Sequence, residues 1–214
     1  MVFLPVAGQH LAPLAALTAL VVMDLFGPLP NVPRALRDGS PGDVLRLGVG
    51  LAVATPLGLL LLSVASPELF RYGVSLAALI LLALLIADFR YAGPLSRRMT
   101  YGVGALGGLL NGVVGMPGPP AIMLYMASPL PVSAIRANLM LYLILADILL
   151  LVAMWLGGGL DQGALVLGVA LVVPYTLANI AGAAMFGHGD PRVYRGVAYC
   201  LIAGSALAGL PLLD

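Results

Sequence analysis

Residues 99–128 read MTYGVGALGGLLNGVVGMPGPPAIMLYMAS, an apolar stretch that glycine and proline interrupt near its middle. The first turn of a helix tolerates proline, because no backbone donor is needed there. We therefore predict one half-helix over 101–115, a tip at 115–117 and a second half-helix from 118 to about 128. Non-helical backbone at membrane depth is tolerated only where protein buries it or water fills a cavity. The stretch is thus predicted to be a broken, re-entrant helix hairpin.

The chain around this hairpin has the composition of a membrane protein. Of its 214 residues, 61% are hydrophobic and 9% are charged, whereas soluble domains carry about 25% charged residues. So few charges cannot cover a soluble globule, which excludes a soluble enzyme, a nucleic-acid-binding protein and a disordered chain. A spanning helix needs about 20 apolar residues. Six further stretches meet this length: 11–30, 43–63, 69–88, 132–156, 161–186 and 193–212.

The arginines predict the orientation in the membrane, because cytoplasmic loops are enriched in them. If 99–128 crosses once, the arginines are divided between the two sides. If it returns as a hairpin, nine of the ten share one side and only Arg71 faces the other. We prefer the hairpin. The absence of lysine, with abundant Ala, Gly, Pro and Arg, suggests a GC-rich bacterial genome, so the apolar spans predict a multi-pass protein of a bacterial inner membrane. The predicted cytoplasmic loops are 31–46, 89–98, 128–136 and 187–195, and the C-terminal Asp214 is predicted to lie outside.

The two halves of the chain resemble each other at an offset near 123 residues. Each half, 1–98 and 99–214, then holds three spanning helices, and this odd number makes the repeats inverted, as in many secondary transporters. The predicted fold is an all-α polytopic membrane protein with an inverted repeat of three spanning helices each, plus the hairpin. The matching segments are 11–24 with 133–147, 45–53 with 165–173, and 67–73 with 191–196.

The first repeat lacks a counterpart of the hairpin, because Met1 aligns near Leu124 and nothing corresponds to 99–123. Either the chain begins late, or this protein has lost that element. We expect the region just upstream of Met1 to encode a second glycine-rich hairpin in frame. We also expect the longer form to transport, and the 214-residue form not to.

The hairpin tip has features that favour an anion. A half-helix starting at Gly118 directs its N-terminal N–H groups and positive dipole end towards the middle of the membrane. Glycines at 112 and 115 let backbone approach a ligand, and Asn111 adds an amide donor. The alternative is that the glycines only permit close helix packing. The candidate substrate site comprises Asn111, Gly112, Gly115, Met116, Pro117, Gly118, Pro119, Arg136 and Asn138.

Four polar residues of the candidate sites have two interpretations each. Arg136 is either a vestibule cation for an oxyanion or an interfacial topology anchor, and Asn138 either contacts ligand or makes a structural hydrogen bond. Asp24 and Asp147 lie within predicted spans, where a charge costs about 3 kcal/mol, so both are expected to face the bundle interior. They either couple transport to protons and gate it, or are neutral carboxyls bonded to a neighbouring helix.

GALGGLLNGVVGMPGPPAIMLYM at 104–126, followed by RANLMLYLILAD at 136–147, resembles the sulfite exporter TauE/SafE family of bacterial anion permeases. GPLPNVPRALRDG at 27–39 and the helix after it resemble the family's first-repeat loop and next helix. The resemblance covers about residues 10–210 and implies transport of sulfite, sulfonates or related sulfur oxyanions, mostly outward. Two features depart from the family pattern: the missing glycine-rich segment near the N-terminus, and GMPGPP where many members read closer to GxGGPP.

The expected partners are a small inorganic or organosulfur anion and the lipid bilayer, with no nucleic acid; a homo-oligomer stays open. We expect no enzyme activity, no cofactor and no metal, since a lone cysteine offers no ligand cluster. A retinal-binding sensor is excluded because the chain has no lysine. Two alternatives remain: a non-transporting truncated form or partner subunit, and an intramembrane enzyme that uses Asp24 and Asp147.

Overall fold

A computed structural model describes residues 2–87, 96–126, 128–186 and 191–210, and these ranges contain helices and no strand. The all-α class predicted from the sequence is confirmed in this part of the chain. The ten α-helices are α1 (Phe3–Ala7), α2 (Pro13–Phe26), α3 (Val32–Asp38), α4 (Pro41–Ser63), α5 (Pro67–Ile86), α6 (Arg97–Val114), α7 (Gly118–Met126), α8 (Val132–Leu156), α9 (Gln162–Phe186) and α10 (Pro191–Gly209).

Four of the described helices are long and apolar enough to span a membrane. They are α4, α5, α8 and α9, at four of the six predicted spans. A fifth span results if the bent pair Pro13–Phe26 and Leu29–Asp38 is counted as one. The structure therefore supports a multi-pass membrane protein with four or five spanning helices among the described residues.

The predicted span 11–30 differs from the structure at its end. Helix α2 ends at Phe26, and the short 3-10 turn Leu29–Asn31 and α3 follow it. Prolines in this segment explain why the helix is interrupted, because proline cannot continue a helix but favours the first turn of the next one. The expected loop at 31–46 therefore contains a helix of its own, α3.

The last predicted span, 193–212, is helical in α10. Among the residues whose side chains the structure describes, its apolar segment is Tyr199–Gly209, so the span itself stays a prediction. The predicted loops 89–98 and 187–195 lie partly outside the described residues, and Asp214 lies wholly outside them. Their sidedness stays a prediction.

The helix break of the hairpin lies where the sequence predicts it. The Ser96 side chain caps the start of α6 by accepting a hydrogen bond from the Met99 N–H at 3.2 Å. Gly115 ends α6 in the left-handed region with φ of 64°, a conformation that favours glycine. Helix α7 begins three residues later, at Gly118.

The chain divides into two compact units, each drawing helices from both predicted repeats. Unit 1 consists of 1–27, 66–87 and 161–214, where α2 packs against α9 and α5 against α10. Unit 2 consists of 28–65 and 88–160, where α4 packs against both α6 and α8. The repeat boundary between 98 and 99 and the inversion of the repeats stay predictions.

Glycines bring α4 and α6 unusually close together in unit 2. A Cβ atom added at Gly108 would lie 2.6 Å from the Leu51 carbonyl oxygen, and one at Gly58 would lie 2.6 Å from the Leu109 carbonyl oxygen. Small residues at membrane helix interfaces permit such backbone approach. The glycine-rich sequence of the hairpin therefore has a packing function along α6.

In unit 1, side-chain donors from the turn after α1 and from α5 bind the end of α10. The Gln9 amide donates to the Ala208 carbonyl oxygen at 2.8 Å, and the Arg71 Nε donates to the Gly209 carbonyl oxygen at 3.3 Å. These bonds satisfy carbonyl groups in the last turn of α10 that have no partner within the helix.

Candidate anion site

Two side chains fix the hairpin tip to α8. Asn111 is 1% exposed, and its Nδ2 donates to the Ala146 carbonyl oxygen at 3.0 Å. The Tyr142 hydroxyl donates to the Pro117 carbonyl oxygen at 3.2 Å. Both bonds are buried and therefore stabilise the position of the tip. The Asn111 amide, which the sequence predicts as a ligand donor, has a structural partner here.

The predicted tip glycines differ in how tightly they are packed. Gly112 lies against the Thr55 carbonyl oxygen of α4, so it serves the packing of α6, and Gly115 forms the turn. Gly118 has more room, because an added Cβ would come no closer than 3.5 Å, to Leu143. Packing thus explains Gly112 and the turn conformation explains Gly115, whereas neither requires glycine at 118.

The N-terminus of α7 offers fewer backbone donors than a typical helix start. Pro117 precedes the helix, and Pro119 and Pro120 occupy its second and third positions. Proline has no N–H, so Gly118 supplies the remaining N–H group among these four residues. The tip residues from Met116 to Pro120 are all buried. The first turn therefore provides fewer unpaired N–H groups than the sequence argument expected, because three of these four residues are proline.

Arg136 lies in a second place, a pocket of about 260 Å³ between α3 and the start of α8. Arg34 of α3 also lines the pocket and makes an exposed ion pair with Asp38 at 3.4 Å. Two guanidinium groups face one carboxylate, which leaves one net positive charge. Exposed ion pairs contribute little to stability, so Arg34 can exchange Asp38 for an anion at small cost. The lining residues are Asn31, Arg34, Ala35, Asp38, Ser133, Arg136, Ala137 and Met140.

Arg34 was not among the residues predicted for the site. The sequence predicts Arg34 only as part of a cytoplasmic loop, although α3 carries this arginine and, one helical turn later, Asp38. That spacing is a signal for a short helix with a charged face. The contact between α3 and α8 is what places Arg34 beside Arg136, and no local pattern predicts it.

Asn138 is 0% exposed, and its Oδ1 accepts a hydrogen bond from the Ser40 N–H at 2.6 Å. This bond joins α8 to the residue preceding α4. Asn138 was interpreted either as a ligand contact or as a structural hydrogen-bonding residue. The structure shows a structural hydrogen bond for its side-chain oxygen. Its Nδ2 is buried and makes no hydrogen bond with any residue that the structure describes.

The two intramembrane carboxylates belong to different compact units. Asp24 is half-buried in unit 1 and accepts a short hydrogen bond from the Tyr175 hydroxyl of α9. Asp147 is half-buried on α8 in unit 2. Tyr175 was not predicted as a partner of Asp24, because the two residues are 151 positions apart.

Comparison with known proteins agrees with these features. The family model described as sulfite exporter TauE/SafE matches residues 1–209. The chain belongs to this family. The resemblance found in 104–126 and 136–147 is thereby confirmed, and TauE/SafE membership makes the chain a transporter by family. That membership also agrees with the expectation that the chain is not an enzyme.

One relative of this chain has a more specific description than the TauE/SafE family as a whole. A probable sulfite/organosulfonate exporter TauE of Cupriavidus necator is 29% identical over 211 residues, covering 92% of this chain and 79% of that protein. No solved structure matches the chain. The segments 104–126 and 136–147, which carry the resemblance, lie in unit 2, which also contains the hairpin tip and the Arg34–Arg136 pocket.

Proposed function

We propose that this chain is a permease for small sulfur oxyanions, sulfite or organosulfonates, in a bacterial inner membrane. Family membership supports transport, and the name of the Cupriavidus necator relative supports the sulfur oxyanion. The structural observation that carries the proposal is the pocket between α3 and α8, where Arg34 and Arg136 face a single carboxylate. Arginine binds planar or tetrahedral oxyanions through paired N–H donors.

Helix α8 connects this pocket to the hairpin tip. Arg136 lines the pocket, and Tyr142, six residues further along α8, holds the Pro117 carbonyl oxygen. Six residues of α-helix span about 9 Å. We infer that the anion first contacts the arginines and then passes the tip at Gly118, whose backbone is not crowded. In this proposal Asn111, Gly112 and Gly115 hold the tip in shape.

The re-entrant course of the hairpin is part of the proposal. Arg97 and Thr100 at the start of α6 line the same small cavity as Leu124 and Tyr125 at the end of α7. A hairpin that enters and leaves at the same face of the membrane predicts this. With 31–46 and 128–136 in the cytoplasm, the Arg34–Arg136 pocket is the cytoplasmic entrance for an exported anion, and the C-terminus is outside.

Asp24 and Asp147 are proposed to link transport to protons. The Tyr175 hydroxyl holds one Asp24 oxygen, which orients the carboxyl towards α9. An ionisable residue in a membrane helix is a functional candidate by default, because its burial is costly. The competing interpretation, a structural hydrogen bond between α2 and α9, predicts that replacing Asp24 leaves the pH dependence of transport unchanged.

The test is flux in proteoliposomes that contain the purified chain, with sulfite, an alkanesulfonate and chloride as three separate solutes. We expect flux of the first two and little of chloride. Arg136→Gln removes charge-assisted hydrogen bonds worth about 1.5–3 kcal/mol, so its KM for sulfite should rise at least about tenfold. Arg34→Gln should act in the same direction.

Each variant has a matched control in the same part of the chain. Arg37→Gln changes an arginine of α3 that does not line the pocket, and Arg98→Gln changes one in the first turn of α6. Both controls should keep the sulfite KM near that of the unmodified protein. Equal effects of Arg37→Gln and Arg34→Gln would show that only general surface charge is involved, and would refute the pocket as the entrance.

A further inference from the structure

We propose that unit 2 contains a second site for a small oxyanion, separate from the Arg34–Arg136 pocket. It is a cavity of about 100 Å³ where the first turns of α4 and α6 meet the last turn of α7. Pockets for drug-sized ligands occupy about 300–1,000 Å³, so this cavity suits an ion of few atoms. Its lining residues are Asp43, Arg46, Arg97, Thr100, Leu124 and Tyr125.

The first observation is a buried hydroxyl group without a partner. Tyr125 is 1% exposed and lines the cavity, and its hydroxyl makes no hydrogen bond to any residue the structure describes. The Asn138 side chain lies near this hydroxyl, but its Nδ2 likewise forms no hydrogen bond of normal geometry. Buried polar groups almost always have a partner. Asn138 is not among the residues that line the cavity, so the Tyr125 hydroxyl is the group that a ligand with acceptor oxygens would satisfy there.

The second observation is the charge around the cavity. Arg46 is paired with Asp43 at 2.5 Å, whereas Arg97 makes no ion pair with the described part of the chain. Two guanidinium groups and one carboxylate leave one net positive charge. The Thr100 hydroxyl donates to the Ser96 carbonyl oxygen at 3.1 Å, so the arginines and the Tyr125 hydroxyl are the side-chain donors. The charge and the donors together match a small oxyanion.

Both free oxyanions and lipid phosphates have this chemistry, and the geometry favours a free ion. A lipid phosphodiester carries two organic substituents and binds basic residues at the membrane surface. A cavity of about 100 Å³ with a buried tyrosine has no room for both substituents. The assignment of an oxyanion rests on this cavity; only its identity as a sulfur oxyanion rests on the proposed function.

The test is calorimetric titration of sulfate and sulfite into the purified full chain, held in nanodiscs of neutral lipid. Tyr125→Phe deletes only the hydroxyl, and Arg97→Gln deletes only the charge that makes no ion pair with a described residue. Each should weaken binding at this site at least about tenfold. The matched controls are Tyr101→Phe and Arg98→Gln, which change exposed neighbours on α6 that do not line the cavity. The controls should bind as the unmodified chain does.

Thermal unfolding separates a ligand donor from a structural group. Without added oxyanion, Tyr125→Phe should be at least as stable as the unmodified chain, because it removes an unsatisfied buried group. With saturating sulfate the unmodified chain should gain more stability than the variant. A Tyr125→Phe variant that is less stable without ligand, and binds sulfate with unchanged affinity, would overturn the proposal.

A third arm compares nanodiscs of neutral lipid with nanodiscs that contain phosphatidylglycerol. In one outcome, the unmodified chain binds neither sulfate nor sulfite but retains phosphatidylglycerol, and Arg97→Gln no longer retains that lipid. This outcome would assign the cavity to a lipid phosphate and overturn a free-ion site. Flux keeps the two proposals distinct. Normal sulfite flux by the unmodified chain, together with unchanged anion binding by Arg97→Gln, refutes only the second site. No sulfite flux by the unmodified chain, together with impaired anion binding by Arg97→Gln, refutes only the permease.

Discussion

A single methyl group at Gly108 should separate α4 from α6. The added Cβ would lie 2.6 Å from the Leu51 carbonyl oxygen and 2.9 Å from the Ala54 Cβ. Non-bonded contacts between heavy atoms are most favourable near about 3.5 Å, so the helices must part locally by about 0.9 Å. The oxygen belongs to the backbone of α4 and cannot rotate away. Overpacking of this kind costs about 1–3 kcal/mol.

Gly102 provides the matched control, because it lies on the same helix and an added Cβ there meets nothing within 4 Å. Alanine at an open helix position is favoured over glycine by about 0.5–1 kcal/mol. Gly102→Ala should therefore be stable or slightly stabilised, whereas Gly108→Ala should be destabilised. The gain in helix propensity is common to both variants, so the expected difference between them is the overpacking cost of about 1–3 kcal/mol.

The assay is thermal unfolding in one detergent, with the fraction folded followed by size-exclusion chromatography, and sulfite flux measured on the same preparations. Gly108→Ala should unfold at a lower temperature than Gly102→Ala and lose flux in parallel. Equal unfolding temperatures for the two variants would show that α4 and α6 are not in the close glycine contact described above. Glycine contacts between α4 and α6 would then not be what positions the hairpin.

Three further predictions concern the tip and the carboxylates. Gly118→Ala should keep stability within about 1 kcal/mol, because an added Cβ makes only ordinary van der Waals contacts there, and should lower sulfite flux; unchanged flux would move the anion path away from the tip. Asn111→Ala should lower stability by about 0.5–1.5 kcal/mol in thermal unfolding, because it removes the buried hydrogen bond to the Ala146 carbonyl oxygen; equal stability would contradict that role. Asp24→Asn can still accept the hydrogen bond from Tyr175 but cannot ionise, so anion exchange should persist while pH-driven flux falls. An unaltered pH dependence would make Asp24 a structural group.

The sequence predicted the parts of the fold that depend on local chemistry. The helix predicted at 132–156 has the same bounds in the structure, and that predicted at 161–186 starts one residue later. Long apolar runs determine such helices, because only a helix satisfies its backbone within lipid. The break at 115–117 was equally predictable, since proline and glycine are the residues that interrupt helices.

The site depended on contacts that local patterns do not contain. Arg34 joins Arg136 only because α3 folds as a helix against α8, and the proline-rich segment before it was interpreted as a loop. Tyr175 reaches Asp24 across 151 positions of sequence. The tip has fewer donors than predicted for a local reason, because its prolines carry no N–H group.

The predicted repeat has a counterpart in two helix contacts. Gly48 of α4 packs against Leu145 of α8, and Gly168 of α9 packs against Val22 of α2, where an added Cβ would lie 2.8 Å from the Val22 Cβ. In the alignment of the two halves, Gly48 corresponds to Gly168 and Val22 to Leu145. A duplication predicts such a pair of contacts, one in each compact unit.

The same two helices differ on their other faces. In their spanning segments, 44% of α4 is buried but only 11% of α9. Helix α6 covers Gly50 and Gly58 of α4, whereas the aligned residues Ala170 and Ala178 of α9 are exposed in the described structure. Alanine would prevent the backbone approach that glycine allows, so the two faces are not interchangeable even in composition. Position in the repeat therefore predicts that α4 pairs with α8 and that α9 pairs with α2. Burial of the opposite face of α4 depends on the hairpin, which has no second copy among the described residues.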